Sequence, residues 1–335
     1  MSYLFRQRFL IMLLTAITLG ILLPSLGEDH GWLHLNHFVP WGIALIFFLH
    51  GFHLAPQTLW QGFRLWRYHL WIQTITFALF PILGILLSLL TRFVFNDALQ
   101  LGWLYLAVLP GTISSAVAMT SLAKGNVSLA IFNASFSSLL GIVFTPLWMA
   151  LFFQQQQGTL DLNATLISIG QQVALPMLLG QLLRPLLHRQ LSRFSSWTNE
   201  VDKVVIAFIV LNAFSNASSH QLWQQLSWLQ MLLLAGFATL LLGLMLGFIW
   251  QTGRWFGIPR DNLIATLFCG SKKSLAAGIP MAKVIFVHQP QLGLILLPIM
   301  LYHQIQLFCC AWLAQYLGRH TDVTGTDANM PSEQK

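Results

Sequence analysis

Stretches about as long as a bilayer is thick recur along this chain, and that recurrence limits what it can become. A bilayer core of about 30 Å is spanned by roughly 20 apolar residues rising 1.5 Å each in a helix. Ten such stretches run approximately over 9–26, 38–54, 69–90, 102–123, 127–153, 164–186, 203–220, 226–250, 262–285 and 291–317. Only 8% of the 335 residues are charged and 56% are hydrophobic, whereas a soluble protein carries roughly 25% charged residues. So few charges cannot clothe a water-facing surface of this size. That excludes a soluble enzyme, a secreted domain and a nucleic-acid binder, and predicts an all-α, multi-pass membrane protein. Cys269, Cys309 and Cys310 all lie in apolar stretches, so neither a disulfide framework nor a metal cluster is expected. Arg6 and Arg8 precede the first stretch as they would in a signal peptide, but the stretch is longer than a usual signal core and is read as a retained span.

The basic residues orient the spans. Arg6 and Arg8, Arg64 and Arg67, Lys124, then Arg184, Arg189, Arg193 and Lys203, then Arg254 and Arg260, and finally Arg319 and Lys335 fall on alternate links. The links 27–37, 154–163 and 216–225 hold no Lys or Arg, and Arg92 and Lys283 are the two exceptions to the pattern. Positive links face the cytoplasm, so ten spans with both termini inside are predicted. The net charge of +7 is then charge facing an anionic leaflet, not a nucleic-acid footprint. The polar stretch 321–335 reads as a disordered cytoplasmic tail.

Ten spans divide into five and five. An odd number per half inserts the second half upside down, which is the inverted-repeat plan of many secondary transporters. The sequence pointer to a transporter's site is a matched pair of spans interrupted by Gly or Pro. The fourth span reads Leu109-Pro110-Gly111-Thr112-Ile113-Ser114-Ser115, and the ninth, fourth of its half, reads Cys269-Gly270-Ser271-Lys272-Lys273-Ser274 and then Gly278-Ile279-Pro280. The expected breaks are Pro110 and Gly111 in the one, and Gly270, Gly278 and Pro280 in the other. Unwound backbone at mid-membrane survives only where protein or water covers it, so the two breaks are expected to face each other across one cavity. A kinked helix with serines bonded to their own turn is the alternative for either span taken alone.

The charges sharpen the picture. All ten acidic residues sit in links, tails or span ends, yet Lys272 and Lys273 sit near the middle of the ninth span. A central Lys costs about 2.5–3.5 kcal/mol on insertion scales, and its stem is too short to reach either interface. One reading is a fixed positive charge at the crossing, set there to attract an anion, to replace a bound cation or to carry a proton. The other is a structural ammonium pinning unwound carbonyls. Thr112, Ser114, Ser115, Asn133, Ser271, Ser274, His303 and Gln306 join the lysines as candidate substrate- or ion-binding residues, although Ser and Asn at such places also serve as helix-packing glue.

The strings Leu109-Pro110-Gly111 through Ala123-Lys124-Gly125-Asn126, Phe268-Cys269-Gly270-Ser271-Lys272-Lys273-Ser274 and His303-Gln304-Ile305-Gln306-Leu307 resemble the bile acid:sodium symporter family, and within it the YfeH-type subgroup. The resemblance covers essentially all ten spans. It implies a panel domain (9–54 and 164–220) and a core domain (69–153 and 226–317), with spans 4 and 9 unwound and crossing. It implies alternating-access transport of a small organic anion with sodium, in a bacterial inner membrane. The family's sodium sites use a Ser-Asn pair, two hydroxyls and a Glu-Gln pair. The matching places here hold Ser115-Ala116, Ala130 and Ala134, and Ser271 with the lysines. A hard cation prefers several oxygens and a carboxylate, so sodium rests on resemblance alone, and no other cofactor or metal is expected. The leading expectation is a secondary transporter, working in the bilayer on a small organic anion without nucleic acid. A non-transporting receptor on the same fold is the alternative, and an intramembrane enzyme is disfavoured for want of a nucleophile–base or acid pair at depth.

Overall fold

The computed structural model describes residues 2–53, 65–155, 167–191, 195–287 and 289–326, and all regular structure among them is helical. Arg64, Arg193, Asp161 and residues 327–335 lie outside the described residues. The long helices are α1 (Ser2–Leu22), α2 (Leu35–His53) and α3 (Trp66–Thr91). Next come α4 (Asp97–Val108), α5 (Ser114–Leu122) and α6 (Val127–Gln155). The second half of the chain holds α7 (Leu175–Leu191), α8 (Ser195–Ser219), α9 (Trp228–Trp255), α10 (Arg260–Ser271), α11 (Leu275–Ile285) and α12 (Leu292–Thr326). Helix α12 runs to Thr326, into the tail expected to be disordered from residue 321.

Six described helices are long and apolar enough to cross a membrane: the helices or helix parts Leu35–His53, Trp66–Thr91, Val127–Phe152, Glu200–Ser219, Trp228–Trp255 and Leu292–Arg319. The predicted spans 102–123 and 262–285 are each divided, as α4 with α5 and α10 with α11, so neither forms one continuous crossing helix. Large apolar side chains stay uncovered on separate helices, such as Leu182 at 72% and Leu232 at 71% exposure. Water rejects such surfaces and hydrocarbon accepts them.

Where helices approach most closely they do so through glycine. A Cβ on Gly51 of α2 would lie 2.0 Å from the Met177 carbonyl oxygen of α7, and one on Gly180 of α7 equally close to the Phe48 carbonyl of α2. Small residues that let backbones touch are the usual means of pairing helices in lipid, where apolar burial alone gives little drive. Helices α1, α2, α7 and α8 pack mainly on one another. Helices α3 to α6 and α9 to α12 pack among themselves, and α8 touches α11 and α12 between the two sets.

Two helices carry a π turn just ahead of a proline: Ile75–Leu79 before Pro81, inside α3, and Gly170–Ala174 before Pro176, leading into α7. In the first, the Phe80 N–H reaches back five residues to the Ile75 carbonyl. The next bond in that register would run from residue 81 to Thr76, and proline has no N–H to make it. The Thr76 carbonyl is thereby left without its helical partner.

Candidate functional site

Two stretches of unwound backbone meet inside the bundle. Helix α4 stops because Pro110 forces the preceding Leu109 into extended geometry, with φ −67° and ψ 152°. Gly111 then passes close to α10, where a Cβ would lie 3.2 Å from the Cys269 carbonyl oxygen. Its N–H is taken by Ser137 Oγ of α6 at 2.9 Å. At the other break α10 ends on Ser271, Lys272 is extended, and Ser274 starts α11 by accepting the Ala277 N–H at 3.2 Å. The breaks bond directly: the Ser274 N–H donates to the Pro110 carbonyl at 2.9 Å.

The position of the second break corrects the sequence expectation. Gly270 is the penultimate residue of α10, while Gly278 and Pro280 lie inside α11. Proline at the sixth position of a helix removes one bond without ending it, and the Ser274 cap fixes the start six residues ahead of Pro280. What holds the break open comes from α12. The Gln306 carboxamide accepts the Lys273 N–H at 2.9 Å and donates to the Lys273 carbonyl at 2.8 Å, standing in for a neighbouring strand. The Tyr302 hydroxyl donates to the Ser271 carbonyl at 2.7 Å, and Thr145 Oγ1 to the Val108 carbonyl at 2.8 Å, so each ending helix has a carbonyl capped by a side chain.

Lys273 lies at the centre with no solvent exposure. Its Nζ donates to the carbonyl oxygens of Thr76 at 3.0 Å, Ala107 at 2.9 Å and Leu109 at 2.7 Å. It also stands 4.0 Å from the centre of the Phe80 ring. Each oxygen is accounted for by a local event. Thr76 lost its partner to Pro81, Ala107 belongs to the last turn of α4, whose carbonyls carry the negative end of the helix dipole, and Leu109 lies in the break itself. An ammonium has three N–H donors, and all three are used. Lys273 therefore has no donor left for a substrate.

Lys272 is equally buried, but its Nζ has no hydrogen-bond partner. Its electrostatic neighbours are the thiols of Cys269 and Cys310 and the His303 ring. His303 Nδ1 lies 3.0 Å from Gln306 Nε2. Because that nitrogen donates, Nδ1 accepts, and this bond assigns the ring proton to Nε2.

The remaining candidates divide. Ser114 is exposed, Thr112 and Ser115 are half-buried with their hydroxyls 3.4 Å apart, and α5 begins without a side-chain cap. Ser271 bonds back to the Leu267 carbonyl at 2.6 Å. Asn133 is used up by packing: it meets His69 Nδ1 at 2.8 Å, the Leu129 carbonyl at 3.0 Å and Gln73 Nε2 at 3.3 Å. Thr76 and Phe80 were not among the sequence candidates, and Pro81 is the one sequence feature from which they could have been found.

A second polar cluster, apart from the breaks, also escaped prediction, although Lys283 had stood out as an exception to the alternation of basic links. Its Nζ donates to Asn212 Oδ1 at 2.6 Å and lies 4.0 Å from Asp29 Oδ1. Asn212 Nδ2 donates to the same Asp29 oxygen at 3.0 Å and to the Gly27 carbonyl at 2.8 Å, and Asn216 Nδ2 reaches Asp29 at 3.2 Å. Partial burial opposes the Asp29 charge. The Asn212 amide, the Lys283 ammonium and the Asn216 amide outweigh it and hold the carboxyl below its ordinary value.

The chain is similar to known proteins over nearly its whole length. The family model described as SBF-like CPA transporter matches residues 7–319. An uncharacterized protein of Pseudomonas aeruginosa is 38% identical over 327 residues, 97% of either chain. The Escherichia coli protein YfeH, whose name provisionally calls it a symporter, is 36% identical over 94% of this chain and 93% of its own. A zebrafish (Danio rerio) protein named sodium/bile acid cotransporter 7 is 31% identical over 90% of each chain.

Proposed function

The chain belongs to the SBF-like CPA transporter family, and from that premise we propose that it moves a small organic anion across the membrane by alternating access, without a bound sodium ion. As a family member it is a multi-pass membrane transporter and not an enzyme. In our reading α4 with α5, and α10 with α11, each form one interrupted crossing, which brings the total to ten spans in two inverted halves of five. Both termini face the cytoplasm of a bacterial inner membrane. Helices α1, α2, α7 and α8 form a panel, and the rest form a core that rocks against it.

One observation carries the proposal: the Lys273 ammonium sits in a cage of three carbonyl oxygens at the crossing of two helix breaks. Carbonyl oxygens from unwound helices are how transporters of this general plan coordinate a cation. Here a covalently attached cation fills that role and is never released. The substrate then meets the open start of α5, where exposed Ser114 and half-buried Thr112 and Ser115 surround backbone N–H groups with no side-chain cap. Unpaired N–H groups and the positive end of the helix dipole favour a negative ligand there.

The test is a thermal-shift screen of the purified protein against organic anions, bile acids included, with sodium or choline as the only cation. Bound ligand raises the unfolding temperature by mass action. The expected result is an anion-dependent rise of equal size in both salts. A rise that needs sodium would falsify the lysine as cation substitute.

A further inference from the structure

Lys272 and Lys273 differ in one respect that the reading above leaves unused: every donor of Lys273 is occupied, and Lys272 Nζ has no partner. We propose that Lys272 is the proton-binding group of the transport cycle, taking up one proton together with the anionic cargo so that the two cross the membrane as a neutral pair. This rests on the transporter reading and adds the coupling ion to it.

The proposal follows from what surrounds the amine. Charge buried without a partner is among the costliest arrangements in a protein, and more so at membrane depth. A compensating negative charge would have to come from a neighbour. Cys269 on the same helix, and His303 and Cys310 on α12, face the amine, and none of them is a carboxylate. Three further titratable side chains of the packed helices are engaged. Tyr302 bonds to the Ser271 carbonyl, Tyr105 of α4 to the Gly278 carbonyl, and His69 of α3 to Asn133. Acids on the helices packed here lie near helix ends, with Asp97 opening α4, Asp261 in the first turn of α10 and Asp322 close to the end of α12. Among the described residues no carboxylate faces the amine, so in the proposal the counter-charge comes from outside the protein.

The cargo supplies it. The backbone of Lys272 packs against Gly111, three residues ahead of the uncapped start of α5, with 3.7 Å from the Lys272 carbonyl oxygen to a Cβ at Gly111. The Lys272 backbone thus adjoins the break that leads to that start, and in the proposal an anion held there supplies the counter-charge to the amine. The bookkeeping is simple: a neutral amine, a proton and a monovalent anion become an ion pair of zero net charge. When the anion leaves on the far side the proton leaves with it, and the neutral amine returns.

The first test needs no ligand. Thermal unfolding of the purified full-length wild type is compared with Lys272→Met, which keeps the stem and removes the amine, in buffers without organic anions. At about pH 10 the two should unfold together; at about pH 6 the variant should unfold roughly 5 °C higher, because only the wild type is then forced to hold a partnerless charge. A difference that stays constant across that range, or a wild type that is the more stable throughout, overturns the proposal. So does a His303→Gln variant that abolishes the acid-side loss while Lys272→Met keeps it, since the proton then belongs to His303. Lys272→Gln gives the same reading if the methionine variant does not fold.

The second test separates the proposal from the reading beneath it. Reconstituted vesicles are loaded with a pH-sensitive dye and given an inward gradient of taurocholate, or of simple alkyl and aryl sulfonates. Uptake should acidify the vesicle interior in the wild type and leave it unchanged in Lys272→Met. Uptake without acidification in the wild type overturns the proton assignment and leaves the transporter reading standing. Wild-type vesicles that take up none of these anions overturn the transporter reading, and the proton assignment with it.

Discussion

At the first break the helix that ends gives its carbonyls to a cation, and the helix that begins is left uncapped. At the second the ending helix is closed by the Tyr302 phenol and the beginning one by the Ser274 hydroxyl. Two stretches of similar composition in matching places thus finish differently. The second is capped at both of its helix ends by side chains. The first lends its oxygens to Lys273, which the second carries, and keeps a free set of N–H groups. Stability is concentrated on one side of the crossing, and capacity for a ligand on the other.

Breaking the stable side should have the largest effect. Lys273→Met leaves the carbonyls of Thr76, Ala107 and Leu109 without donors, at about 1–3 kcal/mol for each buried group so stranded. The purified variant is expected to unfold below growth temperature, or to aggregate on size-exclusion chromatography. Lys273→Arg should fare little better, because a planar guanidinium cannot aim donors at three oxygens grouped around one point. Wild-type behaviour of both variants would remove the cage from the account. Gln306→Leu comes next. It deletes the two bonds that support the Lys273 backbone, and a loss of about 2–3 kcal/mol in thermal or denaturant unfolding is expected.

A finer contrast lies between the two serines at the helix starts. Ser274→Ala removes a cap and should cost about 1 kcal/mol of stability. Ser114→Ala removes an exposed hydroxyl from an uncapped start and should leave unfolding within about 0.5 kcal/mol of wild type, as exposed substitutions usually do. The ligand response should reverse the order. The anion-induced thermal shift should fall in Ser114→Ala and survive in Ser274→Ala. Equal loss of that shift in both would mean that the two starts are not functionally distinct.

Much of this arrangement was legible in the sequence because its signals are local. A Pro-Gly pair in an apolar run marks the first break, and two lysines in such a run stand out against acids confined to the ends. The second break follows Gly270 by one residue, whereas Gly278 and Pro280, also expected as breakers, lie inside α11, because the position is set by residues distant in sequence. Gln306 holds Lys273 open from 33 positions away, while Gly278 and Pro280 do not end α11. The Thr76 carbonyl was hidden for a different reason. Its availability depends on a π turn as well as on Pro81, and sequence periodicity does not reveal a π turn. Which lysine has partners was equally hidden, since the two are adjacent and chemically identical, and only the fold separates their environments.

Lys283 offers the smallest and most local comparison, a third basic side chain in the apolar half that has a carboxylate nearby. Asp29 is held below the ordinary carboxylate value of 3.8 by the Asn212 and Asn216 amides and by Lys283, against the opposing effect of partial burial. A carboxyl with a depressed folded value stabilises the fold fully above its unfolded value and loses that contribution as pH falls through the folded one. The loss therefore lies in acid, from about 3.8 downward. With Asp29 about half exposed, solvent screens the pair and the effect is modest. Unfolding of the wild type should steepen with acid in that range and that of Asp29→Asn should not, while raised salt should narrow the gap between them. Acid lowers the stability of the wild type in both cases, but removing the Lys272 side chain is expected to raise stability where removing the Asp29 charge lowers it. Following both pairs of curves in one titration series sets a cation beside a carboxylate against a cation without one. If Asp29→Asn titrated in parallel with the wild type, the Asp29–Asn212–Lys283 cluster would be a set of neighbours without energetic weight.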